Sequence, residues 1–275
     1  MKIDAHQHFW QYEAEKHAWI DDDMRLIRQD FMPDDLWPRL QAQQIDGCVA
    51  VQADQSESET NFLLSLATKH DFIKGVVGWI DLRSPRLGER LDHYKGETKL
   101  VGFRHIVQSE LDVNFLLRED FMRGLAELQK RDYTYDILIF PHQLGAALEL
   151  TRRFPEQQFV IDHIAKPYIK DGFIDGWATL IRALGERPNV YCKLSGMLTE
   201  ANWQSWTEVH LEPYLECVLK AFGPKRLLYG SDWPVCLLAG DYEAGHNVIE
   251  RFIAQLSASE QAAIMGQNAI DFYQL

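Results

Sequence analysis

Eight short runs rich in β-branched and aromatic residues recur along the chain, and a stretch with helical spacing of apolar residues follows each. The runs are 2–8, 47–53, 73–80, 100–107, 135–140, 158–163, 190–194 and 226–230. Their starts lie roughly 25 to 45 residues apart, which leaves room for a strand, a helix and two loops. Runs such as VAVQA and VIDHI are largely apolar rather than alternating, as expected of strands covered on both faces. Strand and helix in alternation, eight times over, predict an α/β fold in which residues 1–275 form one (β/α)8 barrel domain. An open doubly wound sheet is the competing layout. It calls for a Gly-rich phosphate turn after the first strand, where this chain has His6-Gln7-His8, and neither GxGxxG nor GxxxxGK[ST] occurs elsewhere.

The helices carry their own start signals. Ser56 and Glu59 have the spacing of a capping box, and Phe62, Leu63, Leu66 and Ala67 follow at helical intervals. Ser257 and Glu260 repeat the signature, while Phe121, Leu125 and Leu128 form a further apolar stripe. A helix starting near Pro33 conflicts with Pro38, which removes an internal hydrogen bond unless it lies in the first turn.

A net charge of −13 without a basic stripe argues against nucleic acid, whose phosphates require clustered Lys and Arg. The longest apolar runs are too short to span a membrane. Cys48, Cys192, Cys217 and Cys236 show no CxxC spacing, so free thiols in a reducing compartment are expected. Met1-Lys2 leads directly into the first run, leaving no space for a signal peptide, and the expectation is a soluble cytoplasmic protein.

In a (β/α)8 barrel the active site lies at the C-terminal ends of the strands. There the first run ends in His6 and His8, two residues apart and so on one face of a strand. The fourth ends in Arg104-His105, the fifth in Pro141-His142 and the sixth in Asp162-His163, with Lys166 just beyond. The seventh runs into Lys193-Leu194-Ser195-Gly196 and the eighth into Ser231-Asp232-Trp233. His17, His70, His93, His210 and His246 fall in loops or helical stretches and read as structural. The long first connection, from Phe9 to about Met32, holds Trp10, Tyr12 and Trp19 and reads either as a lid or as outer packing.

With HxH on strand one, His on strands five and six and Asp on strand eight, the chain resembles the amidohydrolase superfamily. The forms IDAHQHFW, VGFRH, DHIAKP and YGSDWP, with GQNA near the end, are similar to its sugar-lactonase branch, which includes L-fuconolactonase-like enzymes. The resemblance implies a hydrolase that opens a sugar lactone to its aldonic acid. Binuclear members carry a bridging Lys or Glu at the end of strand four, where this chain reads GFRH. The mononuclear pattern implies His6, His8, His142 and Asp232 as ligands of one divalent ion such as zinc, with His163 beside them. The lactonase branch also implies a metal-independent option, so no cofactor is strictly required.

Lactone opening needs an activated water and positive character near the carbonyl oxygen. Asp232 is the expected general base, with Arg104, His163, His6, His8 and His142 polarising the carbonyl. Trp10, Trp79, His105, Lys166 and Trp233 are expected to contact the sugar. Two rival readings are a zinc-dependent decarboxylase on the same barrel and a sugar-binding barrel without turnover. The expected partner is a small sugar lactone; a homodimer is compatible with the fold, though no particular stretch carries it.

Overall fold

The computed structural model describes residues 1–275. Eight parallel strands pair in chain order: β1 (Ile3–Gln7), β2 (Gly47–Val51), β3 (Ile73–Gly78), β4 (Leu100–Ile106), β5 (Thr134–Leu138), β6 (Phe159–Ile161), β7 (Val190–Leu194) and β8 (Leu227–Tyr229). The sheet curls round until its two edge strands meet. His8 N donates to Trp233 O at 2.7 Å and Asp232 N to His6 O at 2.8 Å, so the residues just past β8 complete the circle against β1. The fold is a (β/α)8 barrel, as the eight-fold alternation predicts. The strands stop up to two residues short of the expected ends.

Side-chain parity decides what reaches the barrel axis. Ile3, Ala5, Val49, Val51, Val77, Val160 and Leu228 fill the axis near the N-terminal end of the strands, where Ala269, Phe272 and Tyr273 of the C-terminal helix Asn268–Tyr273 close it like a plug. A second, larger cluster lies between the strands and the surrounding helices. On β1 the pairing register slips between Asp4 and Gln7. This β-bulge shifts the parity by one. Ala5 therefore points into the barrel, and so do His6 and His8, while Gln7 turns outward to donate to Cys48 Sγ.

Local sequence signals hold with two differences. The helix Pro33–Ala42 runs through Pro38 in its second turn, so the lost hydrogen bond is tolerated where Leu36 and Leu40 anchor the buried face. Ser56 caps the helix Glu57–Lys69 by accepting from Glu59 N at 3.2 Å, but the Glu59 side chain accepts from Ala53 N at 3.1 Å instead of reaching back. The box at Ser257 and Glu260 is complete. The first connection is an ordered excursion whose neck is the paired backbone of Trp10 and Phe31. No helix is long and apolar enough to cross a membrane.

Candidate active site

The strand ends surround a cleft of about 270 Å³, near the small end of ligand sites, which run to roughly 300–1,000 Å³. His8, Arg104, His163, Lys166 and Asp232 line it. A larger cavity, about 530 Å³, opens at the opposite end near Lys95, Arg131 and Phe272, and contains none of these groups.

Asp232 is the focus of the cleft. Its Oδ1 lies 3.5 Å from His8 Nε2, 3.7 Å from His163 Nε2 and 3.9 Å from His6 Nε2. Three imidazole nitrogens thus face one carboxylate oxygen at separations that leave a place among them for a small polar atom. Local backbone geometry brings them there. Asp232 has φ 59°, a left-handed conformation that Asp tolerates better than most residues. Gly230 lets the chain pass close to β1, since a Cβ there would stand 2.7 Å from His6 Cβ. After β6, His163, Ile164, Ala165 and Lys166 all have φ between 47° and 60°. Each such non-Gly residue costs about 1–2 kcal/mol. Strain of this kind persists where the surroundings impose it, and here Trp177 Nε1 donates to Ile164 O at 2.8 Å.

Each histidine has a partner on its far side. His8 Nδ1 lies 2.7 Å from Val51 O; a carbonyl only accepts, so Nδ1 carries a proton and Nε2 faces Asp232. His163 Nδ1 is 2.9 Å from Ser195 Oγ. Below His6 sits a wholly buried ionic layer. Lys193 Nζ contacts Asp136 Oδ2 at 2.5 Å and Asp162 Oδ1 at 2.9 Å, and Asp162 Oδ2 accepts from Arg104 at 3.0 Å. Arg104 also donates to Gln52 O. Burial pushes His6 and His163 well below the usual histidine range, so both rings are neutral. Burial opposes the charge on Asp162, yet Lys193, His6 and Arg104 around it hold its carboxyl well below the ordinary carboxylate value.

A neutral His6 has one acceptor nitrogen and two neighbouring cations. Arg104 directs a fixed guanidinium hydrogen at Nε2 over 3.2 Å. Lys193 Nζ is 3.1 Å from Nδ1 but has two carboxylates for its protons, and Asp162 Oδ1 lies 3.2 Å from the same Nδ1. Arg104 can only donate, so Nε2 holds a lone pair toward the cleft, and the proton of the neutral ring falls to Nδ1, beside Lys193 and Asp162 Oδ1. The Nε2 atoms of His6 and His8 and a carboxylate oxygen of Asp232 lie within 4.8 Å of one another. Two imidazoles and a carboxylate suit a catalytic zinc, which keeps an open position. His6, His8 and Asp232 would hold such an ion.

The structure does not bring every expected residue here. His142 is exposed in the turn Pro141–Gln143, past Leu138, the residue β5 presents to the cleft, so it is not among the converging donors. His105 alternates with Arg104 on β4 and points out of the barrel, its Nε2 2.7 Å from Glu110 and its ring stacked on Phe115. Trp79 donates to His105 Nδ1 at 3.3 Å, outside the cleft. Trp10 and Trp233 are buried packing residues, edge-on to Phe31. Trp19 and Lys16 of the first connection do line the cleft. Sequence reasoning missed Gln108, a cleft residue whose buried Oε1 has no partner, and the roles of Asp136 and Lys193 within the barrel.

The family model described as amidohydrolase matches residues 3–275. This chain belongs to the amidohydrolase family. The amidohydrolase is 43% identical over 286 residues to the L-fucono-1,5-lactonase of Burkholderia multivorans, covering 100% of this chain and 96% of that one. It is 35% identical over 281 residues to the L-fucono-1,5-lactonase of Burkholderia ambifaria, again covering 100% and 96%. Among solved structures, an amidohydrolase from Burkholderia multivorans with bound zinc superposes on it with a TM-score of 0.97 at 43% identity, covering 100% of this chain and 99% of that one.

Proposed function

We propose that this amidohydrolase adds water to the carbonyl of a sugar lactone, releasing the open-chain aldonic acid, with Asp232 as general base. The observation that carries this reading is the convergence of three imidazole nitrogens on Asp232 Oδ1 at 3.5–3.9 Å, at the foot of a cleft also lined by Arg104. The full-length relatives that hydrolyse L-fucono-1,5-lactone make a 6-deoxy-L-aldonolactone the substrate of choice.

Water held against Asp232 gives up a proton to the carboxylate as its oxygen attacks the carbonyl carbon. Negative charge then develops on the carbonyl oxygen. His163, if its Nδ1 accepts from Ser195 Oγ, presents an Nε2–H to that oxygen, and the Arg104 cation lies deeper in the same cleft. As the tetrahedral carbon collapses, its bond to the ring oxygen breaks and the proton on Asp232 passes to that oxygen. Lys166, paired with Glu200 at 2.9 Å on the cleft wall, is placed to meet the new carboxylate. His6, His8 and Asp232 would hold a divalent ion, which when bound supplies Lewis acidity and a more acidic water. The steps above are complete without it. Four unpaired, buried thiols support a reducing, cytoplasmic setting.

Acid release from a panel of L- and D-aldonolactones tests the reading, using chelator-treated and zinc-supplemented enzyme. Turnover of L-fucono-1,5-lactone in both samples is expected, and Asp232→Asn should lower kcat by about 10²–10⁴. Wild-type rates in folded Asp232→Asn, or no turnover of any lactone, would refute it. Release of carbon dioxide from aromatic acids would favour the decarboxylase.

A further inference from the structure

The innermost layer of a (β/α)8 barrel is normally packed with branched aliphatic side chains. Here that layer, directly beneath the site, holds Asp136 from β5, Lys193 from β7 and Asp162 at the end of β6, each with a fully buried side chain. Tyr273 of the C-terminal plug donates to Asp136 Oδ2 at 2.8 Å and ties the layer to the far end of the barrel. Buried ion pairs are poor stabilisers, because desolvation offsets their attraction and apolar residues of similar volume often serve as well or better. The placement of these charges is informative. Lys193 joins two carboxylates that would otherwise repel. One of them, Asp162, faces His6 Nδ1 at 3.2 Å with Oδ1 and Arg104 at 3.0 Å with Oδ2.

We propose that Lys193 is a positioning residue: by bridging Asp136 and Asp162 it fixes Asp162 between His6 and Arg104, and so sets both the ring orientation of His6 and the nitrogen that carries its proton. Lys193 does not line the cleft; it reaches the site from below, through Asp162 and through its own 3.1 Å contact with His6 Nδ1. With the proton on Nδ1, the Nε2 lone pair meets the guanidinium of Arg104. The opposite tautomer would turn an N–H against that cation and break the contact. The layer thus settles the placement of two cleft groups from below. The proposal rests on the lactonase reading only for its kinetic test.

The decisive variant is Lys193→Met/Asp136→Asn, which removes the bridging pair together and keeps an acceptor for Tyr273. The enzyme is studied without added metal. In ¹⁵N-histidine spectra of the substrate-free protein, His6 is expected to carry its proton on Nδ1 in the wild type and to lose that pattern in the variant. The folded variant should show kcat reduced about 10- to 100-fold, as is typical when a partner behind a site residue is removed, with KM little changed. A wild-type His6 protonated on Nε2 overturns the proposal, as does an unaltered His6 spectrum or wild-type kcat in the folded variant. A double variant that no longer folds overturns it too, since the pair would then be scaffold. Because the spectra require no substrate, failure of the wild type to open lactones would sink the lactonase reading and leave the tautomer result standing.

Discussion

Gly196 stands where the loop after β7 passes His163, and replacing it with Ala separates two effects that the site combines. The first is conformational: Gly196 has φ 65°, ψ 7°, and an L residue there costs about 1–2 kcal/mol. The second is steric: an added Cβ would lie 2.5 Å from His163 Nδ1 and 2.6 Å from its Cγ. Ordinary contact begins near 3.4 Å, so the ring must retreat by about 0.9 Å, the difference between 3.4 and 2.5 Å. That displacement breaks the 2.9 Å contact with Ser195 and carries Nε2 away from Asp232. A shift of about 1 Å in a reacting group costs roughly 10²-fold in rate. Gly172 provides the control, because it has φ 69°, ψ 20° with open space around it. In urea unfolding, both Gly→Ala variants should lose about 1–2 kcal/mol from the backbone. In a pH-stat assay on L-fucono-1,5-lactone, corrected for spontaneous hydrolysis, Gly172→Ala should match the wild type and Gly196→Ala should fall about 100-fold. Full activity in a folded Gly196→Ala would refute the placement of His163 in the chemistry.

Three further outcomes follow from the same geometry. His142→Ala should retain wild-type zinc affinity by calorimetry while His8→Asn loses it; the reverse would restore His142 to the ligand set. Gln108→Leu should raise KM about 5- to 10-fold, corresponding to one lost hydrogen bond of about 1 kcal/mol, and an unchanged KM for every lactone tested would show that its free Oε1 meets no substrate hydroxyl. Burial raises Glu59 from 4.5 to about 7, so the folded state binds its proton more tightly than the unfolded chain does. Its contribution to stability is therefore complete below pH 4.5 and lost as pH rises through about 7, an amount of up to about 3 kcal/mol. Glu59→Gln, which can still accept from Ala53 N, should be more stable than the wild type at pH 8 and lose that advantage toward pH 5. A pH-independent difference in urea unfolding would refute the shift.

The barrel was legible because buried parallel strands announce themselves as short apolar runs, and their order needed only counting. The rim followed from the same runs, since polar residues end them; His8, Arg104, His163, Lys166 and Asp232, picked out that way, line one cleft, with His6 beside Asp232. What stayed hidden depended on side-chain direction. His105 adjoins Arg104 in sequence, but alternation on β4 sends it outward. On β1 the bulge alters that alternation, and no residue type between Asp4 and Gln7 signals it. His142 does not line the cleft, because β5 ends at Leu138 and a tight turn intervenes. Trp10 and Trp233 look like sugar-stacking residues in sequence, and only tertiary packing shows Phe31 between them. Asp136 sits mid-strand among apolar neighbours, where sequence patterning leads one to expect core; Lys193 stands out at the end of the seventh run, but nothing in the sequence shows that it meets Asp136 and Asp162 inside the barrel.

The join between the first and last strands passes through the site itself, since the amides of His8 and Asp232 make the closing hydrogen bonds while their side chains face each other across it. Whatever binds His6, His8 and Asp232 together acts as a clasp on the two ends of the wound sheet. Ligand bound only to the folded form raises its stability by mass action. A clasp does more, because the barrel cannot unroll along this join without first letting its ligand go. Occupancy should therefore slow unfolding.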